Sequence, residues 1–220
     1  MKCLLALLLF GLGSTWAQII TSGQCPTPPV VENFDLDAFM GEWREVARYA
    51  HRYTQNTHCN SVIYSPNEHP VRNVWVEHKY IVYPGAVMMS SYGVAMHNDE
   101  QGARMNASFS GMPDPFGDYW VIDTDYTNFA FIWGCFQVSD NIKGEYYWLL
   151  SRDEDDFSAD VQNRVNELAE EYLIARHIET TRHDLFYCVN RVEPDGNAKV
   201  EEGNVVESKV AEMRSKRVNV

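Results

Sequence analysis

The sequence contains none of the short motifs that carry familiar enzymatic chemistry: no GxSxG nucleophile elbow, no HExxH metal pair and no GxxxxGK[ST] phosphate loop. Its one GxG, Gly11-Leu12-Gly13, sits in the apolar opening stretch and not after a strand, so a dinucleotide-binding turn is excluded. There is no CxxC pair and the seven histidines are scattered, which leaves no donor spacing suited to a metal. Basic residues are scarce. With 18 Lys and Arg against 31 Asp and Glu, the formal net charge is −13, which argues against nucleic acid or an anionic membrane surface as partner. No run reaches 18 apolar residues, so no transmembrane segment is expected. Together these absences point away from an enzyme, from a catalytic cofactor and from a metal centre.

What is present begins with a leader. Met1 and Lys2 precede the apolar run 3–12, and Thr15-Trp16-Ala17 places small residues third and first before a cut, so residues 1–17 read as a secretory signal peptide and the protein as extracellular. Cys3 leaves with the leader. Cys25, Cys59, Cys135 and Cys188 remain, an even number in an oxidising compartment, and two disulfides are expected from three possible pairings. Asn106-Ala107-Ser108 is the one glycosylation sequon, at Asn106.

From Trp43 to Arg152 eight strands are expected: 43–50, 59–65, 74–82, 89–97, 104–110, 119–123, 129–138 and 146–151. Turn residues separate them, among them Pro84-Gly85, Asn98-Asp99 and Pro113-Asp114-Pro115. Short strands at this spacing fit a sandwich or an up-and-down barrel. A helix follows: Ser158 caps it, Asp160 stands in its first turn, and Val161, Val165, Leu168, Ala169, Tyr172 and Leu173 form one apolar stripe. Leu185 to Val189 reads as an extended segment returning to the sheet, pinned by Cys188. The expected organisation is therefore a leader (1–17), one domain (18–192) and a polar tail (193–220), too poor in apolar residues for a core and expected to be mobile.

Three stretches narrow the choice. Gly41-Glu42-Trp43 opens the first strand, Thr124-Asp125-Tyr126 ends the sixth, and Arg152 ends the eighth before an acidic segment. In order and spacing they resemble the three signature regions of the lipocalins. The resemblance implies an all-β fold, an eight-stranded antiparallel up-and-down barrel with one C-terminal α-helix packed outside, and the Arg152 guanidinium lying over the Trp43 indole. Asn33-Phe34-Asp35, the strand from Trp43 to Tyr49, the four cysteines and Glu171-Tyr172-Leu173-Ile174 are similar to the branch that holds arthropod bilin-binding proteins, insecticyanins and apolipoprotein D. That similarity implies the pairings Cys25–Cys135 and Cys59–Cys188.

Alternation from Trp43 sends Glu45, Ala47 and Tyr49 to one side. For the other strands the resemblance sets the phase, with Val74, Val76, His78 and Tyr80; Trp120 and Ile122; Ile132, Gly134 and Phe136; and Tyr146, Trp148 and Leu150 inward. A slip of one residue inverts any of these sets. The expected ligand contacts are Glu45, Tyr49, Val76, His78, Tyr80, Trp120, Ile132, Phe136, Tyr146 and Trp148, with core filling as the competing role for most. Such a lining suits a small hydrophobic ligand, flat and conjugated with polar ends. A biliverdin-type bilin comes first, then a retinoid, a carotenoid or another lipophile. Homo-oligomerisation is left open.

Overall fold

The structure is a computed structural model and describes residues 19–49, 54, 56–67, 73–83, 87–110, 117–152, 157–173, 177–184 and 188. The expected leader and tail lie outside the described residues, as does the expected returning segment except for Cys188.

All eight expected strands form: β2 (Gly41–Tyr49), β3 (Thr57–Asn67), β4 (Asn73–Val82), β5 (Val87–His97), β6 (Arg104–Phe109), β7 (Gly117–Thr124), β8 (Phe129–Ser139) and β9 (Ile142–Ser151). Each pairs antiparallel with the next, and β9 pairs back onto β2, which closes the sheet into a barrel and removes its free edges. Two short strands extend the wall. β1 (Ile19–Ser22) lies against residues 142–145 of β9, and β10 (Ile178–Thr180) lies against residues 47–49 of β2. β10 takes the edge that β3 leaves, because β3 pairs with β2 only through residues 41–44. Both expected disulfides are present: Cys25–Cys135 ties the N-terminal segment to β8, and Cys59–Cys188 ties β3 to the chain beyond β10.

The helix α2 (Ala159–Tyr172) starts where expected, with the Ser158 hydroxyl accepting from the Val161 amide. It buries Val165, Leu168 and Ala169 against the outer faces of Phe131, Trp133, Tyr147 and Leu149. The barrel therefore has two apolar layers, one inside and one under the helix.

That double burial corrects two inward sets. A register shift between Glu45 and Ala47 puts an extra residue into β2, so Trp43 and Glu45 face the lumen while Ala47 and Tyr49 pack in the outer layer. Arg48 then points inward in their place, opposite Trp148. In β7, Tyr119 and Val121 belong to the lumen, whereas Trp120 and Ile122 belong to the outer layer, Trp120 against Trp133 with the Arg104 guanidinium over its ring. Tyr49 and Trp120 thus cannot touch a ligand in the lumen.

The base is closed by one side chain. The guanidinium of Arg152 lies 3.8 Å from the Trp43 ring centre and donates to the carbonyls of Tyr126, Glu42, Ala38, Phe39 and Met40. Three of those carbonyls lie at the end of the one-turn helix α1 (Leu36–Phe39), whose N-cap is Asp35. Gly41 makes the approach possible: its φ is +98°, and a Cβ there would stand 3.1 Å from the guanidinium. Asp125 shapes the opposite turn by accepting from the amides of Thr127, Asn128 and Phe129, while Thr124 bonds the Phe129 carbonyl. Tyr126, at φ +65°, then presents its carbonyl to Arg152 and its hydroxyl to the Asp35 amide.

Arg152→Ala removes the cation over the indole and leaves five carbonyls without this donor. It should lower stability by about 2–4 kcal/mol, which for a chain of this size is a fall of roughly 5–15 °C in thermal midpoint. Calorimetry of the variant beside the native protein checks this, and an unchanged midpoint would contradict it.

Candidate functional site

The lumen has two tiers. At the base, Phe39, Trp43, Val62, Tyr64, Val74, Val76, Met105, Val121, Ile132 and Leu150 are all buried and pack into one cluster, and the Trp43 indole N–H donates to the Phe39 carbonyl. This tier is filled with its own side chains. Tyr64 and Tyr119 share a hydrogen bond between their hydroxyls, and burial raises the pKa of both phenols, so both are neutral at physiological pH.

Above it the lining, apart from the buried Tyr119, is partly exposed, and its rings form a continuous belt. Phe136 lies 5.4 Å from Tyr146, Tyr146 stacks on Trp148 at 5.7 Å and 12°, and Trp148 lies 5.5 Å from Tyr119. Tyr119 lies 5.7 Å from Phe109, and Phe109 meets His78 edge-on at 5.2 Å. Six rings from β8, β9, β7, β6 and β4 thus line the wall in sequence. Gly144 makes room for the first of them, because a Cβ on it would stand 2.1 Å from the Phe136 ring directly across the pair.

A polar cluster stands beside the belt. Glu45 pairs with Arg48 and accepts from the Asn60 amide at 3.0 Å and from the Thr181 hydroxyl at 2.5 Å. Arg48 also donates to Thr181 and to the Thr54 carbonyl. Burial pushes the Glu45 pKa up, but the Arg48 guanidinium and the hydrogen bonds from Thr181 and Arg48 outweigh it and hold the carboxyl below its usual range. Burial lowers the His78 pKa, and Glu45 opposes this only in part, so His78 is neutral at physiological pH.

Of the expected contacts, the structure brings His78, Phe136, Tyr146 and Trp148 together in the belt, and Glu45 into the polar cluster. Tyr80 follows His78 two residues on along β4, on the same face and partly exposed. Val76 and Ile132 face inward but lie in the filled tier, 1% and 0% exposed. Tyr119 and Phe109 were not singled out by the sequence: β6 was left without a phase, and β7 is apolar on both faces. Arg48, Asn60 and Thr181 were also missed, the first because a bulge is silent in the sequence. Asn106 is exposed on β6. A second concavity of about 480 Å³ lies outside the barrel, lined by Thr21, Pro28, Trp133, Lys143, Glu145 and Tyr172. Glu145 there is already bonded to Lys143, Trp133 and Thr21, so the lumen is the better-equipped site.

A closed eight-stranded barrel whose upper inner wall carries a belt of aromatic rings has the architecture of proteins that enclose one small molecule. The chain belongs to the lipocalin family: the family model described as Lipocalin-like domain matches residues 34–183. Apolipoprotein D of Bos taurus is 30% identical over 140 residues, 64% of this chain and 72% of that protein. The bilin-binding protein of Pieris brassicae is 24% identical over 154 residues, 69% of this chain and 78% of that protein. Among solved structures, insecticyanin of Manduca sexta superposes with a TM-score of 0.65 at 20% identity, covering 78% of this chain and 92% of that one.

Because the folded Glu45 pKa lies below its unfolded value, its stabilisation is present above the ordinary glutamate range and is lost as pH falls through the folded value. Glu45→Gln strips the buried Arg48 of its buried counter-charge, leaves only the half-exposed Glu179 3.8 Å away, and should destabilise by about 3 kcal/mol at pH 7. The gap between native and variant should narrow on acidification. Urea titrations of both proteins at pH 7 and in acid check the sign, and a gap independent of pH would contradict it.

Proposed function

We propose that this lipocalin is a secreted carrier that encloses a small hydrophobic ligand without reacting with it, and that the ligand is a biliverdin-type bilin in preference to a retinoid or carotenoid. The observation that carries the reading is the six-ring belt. A flat conjugated molecule gains most from a wall of rings that it can lie against, and the belt is long enough to meet successive rings of a tetrapyrrole. The bilin-binding protein among the relatives supports the same choice. Secretion is supported by the leader-like residues 1–17 and by the two disulfides. The reading as a carrier is supported by the cysteines, since all four described ones are paired and none offers a thiolate for nucleophilic chemistry. Glycan attachment at Asn106 belongs to the same proposal.

The chamber works by preformed enclosure. The filled tier fixes the depth to which a ligand can enter, the belt supplies contact area, and the polar cluster meets an end group. Biliverdin titrated into pure, delipidated protein should quench tryptophan fluorescence through Trp148, with sub-micromolar affinity. Trp148→Ala should weaken binding by about 1–3 kcal/mol, roughly a five- to 150-fold loss, because it removes the central stacking surface. Absence of sub-micromolar binding by biliverdin, retinoids and carotenoids alike would overturn the carrier reading. Tight retinoid binding without bilin binding would overturn the ligand assignment alone.

A further inference from the structure

The polar cluster in the lumen holds more hydrogen-bonding capacity than it uses. Arg48 Nε, Asn60 Oδ1 and His78 Nε2 are buried and have no hydrogen-bond partner, although the other polar atoms of Arg48 and Asn60 are tightly engaged. Orphaned buried groups are destabilising unless something completes them. Their chemistry is mixed: Arg48 Nε can only donate, Asn60 Oδ1 can only accept, and His78 Nε2 does either according to its tautomer. The cluster lies between two rings of the belt: Arg48 stands opposite Trp148, and His78, the last ring, feels the charge of Glu45.

The charge balance is equally specific. Arg48 is paired with the buried Glu45 and lies 3.8 Å from the half-exposed carboxylate of Glu179, while burial keeps His78 and Tyr119 neutral. Thr57, Asn60 and Thr181 complete the surroundings and are neutral. Among the described residues a carboxylate arriving here would meet two carboxylates and no cation that is not already paired, and would be stripped of its water, which is strongly unfavourable. An uncharged group that both accepts and donates would instead complete the Arg48 and Asn60 atoms together.

We propose that Arg48, Asn60 and His78 form a head-group site selective for an uncharged donor–acceptor group, a lactam or a hydroxyl, and that carboxylates are excluded from it. The proposal rests on the carrier reading and adds the orientation of the ligand. A bilin enters with a terminal lactam against the cluster and leaves its propionates toward the open end in water. The site is assembled from four parts of the chain, β2, β3, β4 and Thr181 beyond β10, which bonds both Glu45 and Arg48.

The test uses four probes on the native protein, followed by tryptophan quenching: biliverdin, its dimethyl ester, retinol and retinoic acid. The ester should bind within threefold of biliverdin, and at pH 7.5 retinol should bind at least tenfold tighter than retinoic acid. Lowering the pH toward 6 should strengthen retinoic acid binding and leave retinol unchanged, because only the neutral acid fits. Glu45→Gln, which leaves Arg48 facing only the half-exposed Glu179, should reduce the retinol preference by tenfold or more; the native-protein arms decide the matter if that variant does not fold. A tenfold loss on esterification, or retinoic acid bound as tightly as retinol, would overturn the proposal while the carrier reading stands. Failure of all four probes to bind would overturn both.

Discussion

The structure depends on a guanidinium laid over an indole. Arg152 comes from the end of the last barrel strand and Trp43 from the start of the first, so their contact joins the two strands that must meet for the sheet to close. Attraction between a cation and a ring face is modest alone, on the order of 1–2 kcal/mol when desolvated. It is multiplied here by the carbonyls that Arg152 gathers from α1, from β2 and from the turn after β7. Three stretches far apart in sequence, residues 38–43, Tyr126 and Arg152, are thereby held at one point, and the backbone is shaped for it: Gly41 by its positive φ, Tyr126 by its left-handed conformation, Asp35 and Asp125 by capping. The same point seals one end of the lumen, so a ligand has only the other end to use.

The division of the lumen follows. Near the sealed end, side chains meet across a narrow space and fill it. Farther up, the strands carry rings separated by glycines, with Gly93 beside Phe109 and Gly144 beside Phe136, and the rings lie flat where a Cβ would have pushed them away. The buried ion pair at the edge of this chamber is poor evidence of stability by itself, because desolvation of two charges offsets most of their attraction. Its hydrogen bonds to Asn60 and Thr181 are what make it tolerable, and they also fix which groups are left over for a guest.

How much of this was legible follows from which physical signals a linear pattern can carry. The eight strands, the helix with its Ser158 cap and the pairing of Arg152 with Trp43 were readable, because turn chemistry, periodicity and family signatures all agreed. The facing of individual residues was readable only where one side of a strand is polar. On β4 the alternation of Val74 and Val76 with Trp75 and Glu77 is partly polar, and His78 falls where expected. On β7 both Tyr119-Val121 and Trp120-Ile122 are apolar, since the outer face is covered as thoroughly as the inner, and the phase was undetermined by composition. On β2 the inserted residue after Glu45 turned Tyr49 outward and Arg48 inward, a change of facing that leaves no trace in hydrophobicity. The polar cluster was invisible for a further reason, since Thr181 lies 136 residues from Glu45.

The seam between β2 and β3 has a consequence in time. Those strands part after residues 41–44 and 61–64, and the gap is occupied by residues from β10 onward, which pair with β2, bond the Cys59 amide through the Arg182 carbonyl and are secured by Cys59–Cys188. A chain emerging from the ribosome exposes its N-terminal end first, so the barrel strands can pair before the segment that finishes their wall has been made. The chamber is therefore completed last, by the most distal part of the folded domain. Until that segment has docked, the wall stays open beside Glu45 and Arg48, the two side chains that Thr181 bonds.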